Sequence, residues 1–189
     1  MRNGRAEAVK TAVLILLCVL LLCEIGLFVF SDDLFRLHYR KEYAETVEEY
    51  ASEYGVPATL VYAVILCESG FDPSAESRVG AKGLMQMMDV SFREMRERIG
   101  LTGEGDPFDP EQNVQCGVYC LAHLKSHFGN WDTALAAYNA GIGNVQDWLK
   151  DGRYGADGET LSAIPFAETA AYLKRVRKAE NAYRELYKD

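Results

Sequence analysis

The chain has 189 residues, of which 49% are hydrophobic and 25% are charged, a composition typical of one folded domain with its own core rather than of a disordered chain. Twenty Lys and Arg residues against 28 Asp and Glu residues leave a net charge of -8, and the isoelectric point is near 5.0. This acidic balance argues against a nucleic-acid backbone as the main partner and favours an uncharged or mixed-charge ligand.

The first predicted element is a membrane-spanning helix over residues 11–30, which are apolar apart from one threonine and one glutamate. A run of this length matches the roughly 20 residues needed to cross a bilayer core. Basic residues precede the run and two aspartates follow it, so the positive-inside rule places residues 1–10 in the cytoplasm. We therefore expect a single-pass cell-membrane protein, with a linker over 31–38 and an extracytoplasmic domain over 39–189.

Two other interpretations of this apolar segment fit the sequence less well. A cleaved signal peptide usually has an apolar region of about 7–15 residues that ends at a small-residue site, and no such site is obvious here. A lipoprotein modified at Cys23 needs a small residue before the cysteine, where this chain has Leu22. Glu24 lies towards the outer end of the segment, where its carboxylate can reach the interface. An uncleaved anchor therefore explains the segment best.

Two helices are predicted after the linker, separated by a break at residues 55–57. In the first helix, tyrosines and Val47 recur at helical spacing, which indicates a stripe that faces the core. Pro57 suits the first turn of the second helix, whose apolar residues lead directly to Glu68. The pattern therefore predicts that Glu68 lies at the carboxyl end of a helix.

A carboxyl group at that position, partly desolvated by apolar neighbours, should have a raised pKa. A protonated acid of this kind can donate its proton to the leaving oxygen of a glycosidic bond. Taken alone, the position of Glu68 favours an ordinary solvated glutamate at a helix end. The residues that follow it favour the proton donor.

The stretch after Glu68 is predicted to be a folded loop, because it combines glycines with the turn sequence Asp72-Pro73-Ser74. Residues 83–88 are predicted to be extended and to offer backbone groups to a sugar chain. A capping box over residues 91–94 predicts that the next helix starts there.

Four segments, "ESGF", "GAKGLMQMM", "AAYNAGIGNV" and "IPFAETAAY", resemble in this order and spacing the catalytic domain of the soluble lytic transglycosylases. The resemblance runs from about Tyr39 to Tyr187. It implies a mainly α, lysozyme-like (α+β) domain with a very small β element. It also implies that the substrate is a peptidoglycan glycan strand, cleaved at the β-1,4 bond between N-acetylmuramic acid and N-acetylglucosamine. The product expected of that family is a 1,6-anhydro-muramic acid end.

Within the first two segments the resemblance places Glu68 on the catalytic acid and Ser77 on a serine close to that acid and to the substrate acetamido group. Gln86 and Met88 fall on the stretch that lines the cleft, whereas the other two methionines of that stretch are predicted to be core residues. Asp89 stands where the family often has proline, and we expect this change to affect only the start of the following helix.

Two further helices are predicted, one from 111 to 127 and, after a break at 129–130, an alanine-rich one that stops at 139–141. Tyr138 and Asn139 match the Ala-Tyr-Asn motif of the family. An aromatic face and an amide suit sugar binding through stacking and paired hydrogen bonds. A core tyrosine and a helix-end cap are the alternative interpretations of the two residues.

A last helix is predicted over 167–187, after a break at Ile164-Pro165-Phe166. Glu168 and Tyr172 lie four residues apart and share one face of this helix. The resemblance puts the Tyr172 hydroxyl close to the catalytic acid. It makes Glu168 an orienting residue of the substrate site rather than a second catalyst.

The histidines make only a weak candidate for a metal site. His123 and His127 are four residues apart and Cys120 is nearby, but no HExxH pattern surrounds them, and an amphipathic helix surface explains all three. The sequence contains no phosphate-binding loop after a strand and no nucleophile elbow. We therefore expect neither a metal nor a cofactor.

The cysteines beyond the apolar segment form an odd set, so they cannot all pair within the chain. Cys116 and Cys120 share a helix face, and Cys67 adjoins the predicted acid. We expect buried thiols rather than one disulfide bridge and one free thiol.

The expected product is also supported by the lack of a good candidate for a second catalytic carboxylate in the sequence. Retaining glycosidases hold a second carboxylate about 5 Å from the acid, and inverting ones about 6.5–9.5 Å away. Asp72 is committed to a turn, Asp89 leads into a helix, and Glu168 falls on a position without that role. A lysozyme-type muramidase and a non-catalytic wall-binding or assembly module remain alternatives, although the retention of Glu68 argues against the module. The sequence leaves open whether the protein serves growth, sporulation or a secretion apparatus.

Overall fold

The computed structural model of the chain divides into two compact units, 1–40 and 41–189. The structure describes residues 17, 20–24, 33–155 and 157–187. In the first unit the described residues include a helical segment over 33–38, and the ring of the next residue, Tyr39, contacts the Phe35 ring in a tilted arrangement with centroids 4.7 Å apart. Most of the predicted membrane segment, 11–30, lies outside the described residues. Among the residues that are described, no helix is both long and apolar enough to cross a membrane.

The described part of the second unit is built from α-helices and one small β-hairpin. Its elements in chain order are α1 (Ala44–Tyr54), α2 (Ala58–Glu68), β1 (Ala81–Lys82), β2 (Met87–Met88), α3 (Asp89–Arg98), α4 (Pro110–Phe128), α5 (Trp131–Ala140), α6 (Ile142–Lys150) and α7 (Ala167–Leu186). The two strands are antiparallel, with Ala81 opposite Met88 and Lys82 opposite Met87. The predicted mainly helical architecture with a very small β element is confirmed.

The central element is α2, which is apolar on all sides and is therefore buried on all sides. Residues 60–65 are all fully buried, and α2 packs most extensively against α7. In turn, α4 packs against α1, α3 and α5, while α5 also contacts α6 and α7. Because α2 enters the middle of this bundle and ends at Glu68, its burial carries the carboxyl group into the domain.

Most predicted helix boundaries agree with the structure to within two residues, but the start of α3 does not agree with the predicted capping box. The helix begins at Asp89, its N-cap is the extended Met88, and Met88 makes no side-chain cap hydrogen bond. The β-bridge between the hairpin strands fixes the backbone just before Asp89, and the Asp89 carboxylate then pairs with Lys82 at 3.0 Å. An acidic residue in the first turn also suits the helix dipole. The chain around Ser91 is therefore already helical.

The sequence interpretation also missed α6, which follows α5 after a single residue, Gly141. Gly141 adopts a φ of 89°, which turns the chain between the two helices. Two glycines at the start of this segment hide its helical pattern, although Val145, Trp148 and Leu149 form a buried face.

The three cysteines of the second unit are free thiols, as expected. Cys116 is fully buried, whereas Cys67 and Cys120 are partly buried. Burial raises the pKa of the Cys67 and Cys116 thiols to about 11 and that of Cys120 to about 12. All three therefore remain protonated and act as small apolar groups at neutral pH.

Candidate active site

Glu68 is the last residue of α2 and is half-buried behind the apolar turns that precede it. Burial raises the pKa of its carboxyl group from 4.5 to about 7, and the Tyr172 hydroxyl and the Arg175 guanidinium oppose this increase only in part. The carbonyl end of the helix dipole also disfavours a carboxylate at this position. Glu68 thus keeps its proton close to neutral pH, as predicted from its place in the sequence.

Tyr172 enters the site from α7 and is only 1% exposed. Its hydroxyl lies close enough to the Glu68 carboxyl to lower the pKa of that acid, but the two groups do not reach normal hydrogen-bond geometry. Among the described residues, Tyr172 and Thr133 have the only fully buried side-chain polar atoms without a hydrogen-bond partner. Beside an acid, such a hydroxyl is available to donate a hydrogen bond to the carboxylate form of Glu68.

Tyr138, near the end of α5, is a second phenol near the acid, and burial together with nearby charges, including that of Glu68, raises its pKa well above 10. Unlike the Tyr172 hydroxyl, the Tyr138 hydroxyl has hydrogen-bond partners. It donates to the Met85 carbonyl at 2.7 Å and also contacts the Met87 sulfur at 3.4 Å. The hydroxyl therefore holds the hairpin loop in place. What Tyr138 can offer a ligand is its ring.

Two residues that the sequence interpretation did not single out anchor the loop, Ser69 to the end of α2 and Asn113 to α4. The Ser69 hydroxyl donates to the Leu84 carbonyl at 2.8 Å. Asn113, fully buried on α4, accepts from the Met85 backbone at 2.7 Å and donates to the carbonyls of Lys82 and Pro107 at 2.9 and 2.7 Å. A lone Asn at a core-facing helix position was the available signal, because buried amides need partners.

Gly83 packs closely against the Asn113 side chain and has a φ of 75°. A Cβ atom at residue 83 would overlap the Asn113 side chain and the Pro107 carbonyl. Only glycine therefore fits this turn, for both steric and conformational reasons.

Gln86 is held in a left-handed conformation with a φ of 49°, which is uncommon for a residue with a side chain. Its amide nitrogen donates to the carbonyls of Ala75 and Gly83, each at 3.0 Å. That nitrogen is consequently used within the loop, and the amide oxygen is the atom left to accept a hydrogen bond from a ligand. If Gln86 binds the substrate as predicted, the amide oxygen is therefore the atom that does so.

Ser77 lies in the turn before β1, where its Oγ accepts from the Ala81 backbone at 3.0 Å. The structure shows no hydrogen bond between Ser77 and Glu68, so it does not bring these two predicted residues into direct contact. The Ser77 hydroxyl still has its proton to donate, because the bond to Ala81 uses a lone pair.

A cavity of about 230 Å³ opens beside the loop and collects three of the predicted residues, Gln86, Met88 and Tyr138. Met88 is 43% exposed, whereas the other two methionines of the motif are buried, as predicted. Glu94 and His123 also line this cavity. Sequence reasoning had placed His123 on an ordinary helix surface, because helical periodicity does not reveal which neighbour faces that surface.

A second recess, of about 510 Å³, contains Asn139 and Glu168. The two are linked through Thr169, whose buried hydroxyl donates to the Asn139 Oδ1 atom at 2.8 Å. This bond orients the Asn139 amide and leaves its NH₂ group for a ligand. Glu168 is exposed in the first turn of α7.

A wider hollow of about 640 Å³ contains none of the predicted site residues. His127 lines it and contacts the Gln146 amide at 3.1 Å, so the two histidines of α4 border different cavities. Across the described residues, no three His, Cys, Asp or Glu side chains are grouped in a way that could hold a metal ion.

The chain is similar to proteins named as lytic murein transglycosylases. The soluble lytic murein transglycosylase of Escherichia coli K12 is 33% identical over 147 residues, which are 75% of this chain and 23% of that protein. The membrane-bound lytic murein transglycosylase C of Pectobacterium atrosepticum is 30% identical over 167 residues, 76% of this chain and 47% of the relative. The chain thus spans about a quarter to a half of the length of these relatives.

Solved structures agree with the fold. The 70 kDa soluble lytic transglycosylase of E. coli matches with a TM-score of 0.73 and 32% identity over 82% of this chain and 26% of that one. An inactive glutamate-to-glutamine mutant of the lytic transglycosylase Slt from Pseudomonas aeruginosa matches with a TM-score of 0.70 and 30% identity, over 80% and 25% of the two chains. The family model of the transglycosylase SLT domain matches residues 45–161. This chain therefore belongs to the transglycosylase SLT domain family, with its lysozyme-like fold.

Proposed function

We propose that this protein is a peptidoglycan lytic transglycosylase, which cleaves the β-1,4 bond between N-acetylmuramic acid and N-acetylglucosamine without consuming water. The observation that carries the proposal is Glu68, a half-buried acid whose pKa of about 7 lets it hold a proton at neutral pH. Relatives named as lytic murein transglycosylases and the inactive glutamate-to-glutamine relative support the reaction type and the need for a glutamate.

In the first step, Glu68 donates its proton to the glycosidic oxygen as the bond from that oxygen to C1 of the muramic acid breaks. The positive charge that develops at C1 is stabilised from within the substrate, by the oxygen of the 2-acetamido group. Ser77, which has a hydroxyl proton to donate, is assigned to orient that group. The leaving sugar departs as a neutral alcohol, and Glu68 is left as a carboxylate.

In the second step, the Glu68 carboxylate removes the proton of the C6 hydroxyl, whose oxygen attacks C1 in the same sugar. One C–O bond forms for the one that broke, and Glu68 recovers its proton. The attack is intramolecular and thus benefits from a high effective molarity over water. Tyr172, with its unpaired buried hydroxyl beside the acid, is positioned to stabilise the carboxylate between the two steps.

Two carboxylates that follow Glu68 in the chain, those of Asp72 and Asp89, are already engaged elsewhere in the fold, which favours a single-acid mechanism. A retaining glycosidase would instead hold a free carboxylate about 5 Å from the acid, and an inverting one about 6.5–9.5 Å away. Asp72 accepts from the backbone and hydroxyl of Ser74 at 2.8 and 2.7 Å, and Asp89 pairs with Lys82. Neither carboxylate is available as a nucleophile.

The remaining predicted residues are assigned to the glycan strand. The Gln86 oxygen, the exposed Met88 and the Tyr138 ring line one cavity, and the Asn139 amide and Glu168 line the other. A sugar polymer needs such scattered polar atoms and apolar faces along a groove, rather than one deep pocket.

Product analysis tests the proposal directly. Purified peptidoglycan is digested with the full chain, and the released fragments are measured by mass spectrometry with and without borohydride reduction. We expect 1,6-anhydro-muramic acid ends, lighter by one water than hydrolytic ends and resistant to reduction. Mostly reducible ends would assign the protein to the lysozyme-type muramidases, and wall binding without any cleavage would identify a non-catalytic module.

Glu68→Gln provides the matched variant, because glutamine keeps the shape of the protonated acid but cannot transfer its proton. Turnover should disappear while binding to peptidoglycan persists. A variant that kept a sizeable fraction of the wild-type rate would show that the acid had been misassigned.

We further place the protein in the cell membrane as a single-pass protein, with residues 1–10 in the cytoplasm and the catalytic domain outside. The apolar segment 11–30 and the names of membrane-bound relatives support this placement. Protease added to intact, wall-stripped cells should degrade the catalytic domain and spare a cytoplasmic control protein. Full protection of the domain would contradict the orientation.

A further inference from the structure

The middle of α7 carries a basic run, Lys174 to Lys178, in a chain whose net charge is -8. One of its arginines, Arg177, is fully engaged: it donates to Asp132 at 2.7 Å and to the buried Glu180 at 2.6 Å. The bond to Asp132 joins α7 to the start of α5, and the bond to Glu180 lies within α7. Arg177 is therefore a structural cation.

Arg175, two residues earlier on α7, makes none of the hydrogen bonds or ion pairs that hold Arg177. It is exposed, and it has no hydrogen bond and no ion pair with any described residue. Its guanidinium instead lies 5.9 Å from the ring centroid of Tyr172, the buried phenol beside the acid. Its charge also acts on Glu68 and on Cys67, lowering the pKa of both groups. Arg175 is thus an uncommitted cation at the rim of the candidate active site.

The proposed substrate offers this cation a specific partner. The sugar rings of peptidoglycan carry only neutral hydroxyl and acetamido groups, so their anions are the carboxylates attached through the lactyl side chain of the muramic acid. In a strand without peptides the anion is the lactyl carboxylate itself, and in a complete strand the carboxylates belong to the stem peptide. An exposed guanidinium is the side chain best suited to bind a carboxylate through two parallel hydrogen bonds.

We propose that Arg175 is a specificity-determining residue that binds a carboxylate carried by the muramic acid at the cleavage site. This inference rests on the proposed function, because it takes peptidoglycan as the substrate. The contact distinguishes muramic acid from N-acetylglucosamine, since only the former carries a lactyl group. It also gives an acidic protein a local attraction for an anionic polymer that its overall charge repels.

Binding measurements on the full chain in detergent, in the Glu68→Gln background, test the assignment without turnover. Three ligands of equal length are titrated by calorimetry: a neutral N-acetylglucosamine oligomer, a glycan strand stripped of peptides and a peptide-bearing strand. Arg175→Gln should weaken binding of at least one carboxylate-bearing strand by about tenfold and leave the neutral oligomer within about twofold. The strand that is affected identifies the source of the carboxylate.

Two further variants separate recognition from a merely structural role. Lys178→Gln removes a charge from an exposed residue one turn further along α7 and should leave binding of all three ligands within about twofold. Arg175→Lys keeps the charge without the planar fork and should retain part of the affinity for the carboxylate-bearing strand, with a stronger loss at high salt. If Arg175→Gln does not fold, the partial and salt-sensitive loss expected of Arg175→Lys still tests the proposal.

Equal weakening of all three ligands by Arg175→Gln would overturn the proposal, because it would mean that the arginine merely covers Tyr172. Unchanged binding of both carboxylate-bearing strands would overturn it as well. The outcome is separate from that of the proposed function: reducible ends released by the wild-type chain would refute the lyase reaction and leave the binding result unaffected.

Discussion

Glu68→Gln should stabilise the folded protein at alkaline pH as well as abolish turnover. The pKa of this carboxyl group is about 7 in the folded protein and 4.5 in its unperturbed state, chiefly because burial penalises the charged form. The folded protein thus binds the proton more tightly than the unfolded chain. The stability contributed by this group is fully present below about pH 4.5, is lost as the pH rises to about 7, and stays lost above that value.

The size of the effect follows from the two pKa values. Each pH unit between them is worth about 1.4 kcal/mol, so the wild-type protein loses about 3 kcal/mol of unfolding free energy across the whole interval. Between pH 5 and pH 8.5 the loss is about 2–3 kcal/mol. Glutamine resembles the neutral acid at every pH and avoids this loss. The advantage of Glu68→Gln over the wild type should therefore grow by that amount.

Urea unfolding of the full chain in mild detergent, followed by circular dichroism at pH 5 and pH 8.5, measures this difference. Glu97→Gln, at an exposed residue of α3, is the control and should change the unfolding free energy by less than about 0.5 kcal/mol at either pH. A difference between Glu68→Gln and the wild type that is the same at both pH values would refute the desolvation argument, and with it the account of how the acid holds its proton.

Three other outcomes are expected. The rate of turnover should fall as the pH rises through about 7, because the first step needs protonated Glu68; a pH–rate profile that is flat from pH 5 to 9 would contradict this. Ser69→Ala should cost about 1 kcal/mol of stability in urea unfolding and reduce turnover, since the Leu84 carbonyl loses its donor; unchanged values for both would show that the bond is dispensable. Gly83→Ala should lower the unfolding free energy by about 3 kcal/mol or more, whereas Gly80→Ala, with positive φ but open space around it, should cost about 1 kcal/mol; equal costs would remove the steric argument.

Several features of the site could be predicted from short stretches of sequence. The apolar run before Glu68 fixes both the helix and the burial of its last residue, because a helix that is apolar on all sides has no face for solvent. The motif also predicted that Met88 is exposed and that Met85 and Met87 are buried, as the structure shows. The start of α3 and the whole of α6 were missed, because a capping pattern and two glycines gave misleading local signals.

The amino-acid sequence by itself therefore determined most of the helices, the position of the acid and the family to which the domain belongs. Tertiary structure alone decided which polar atoms are already used and which are left for a ligand. The bonds that decide this join residues far apart in sequence: 28 positions between Met85 and Asn113, and 53 between Met85 and Tyr138. The same holds for Arg175: only the fold shows that, among the described residues, its guanidinium lies near the Tyr172 ring without a hydrogen bond or ion pair. Local patterns report backbone conformation and burial, whereas the pairing of a polar atom depends on neighbours that only the folded chain brings together.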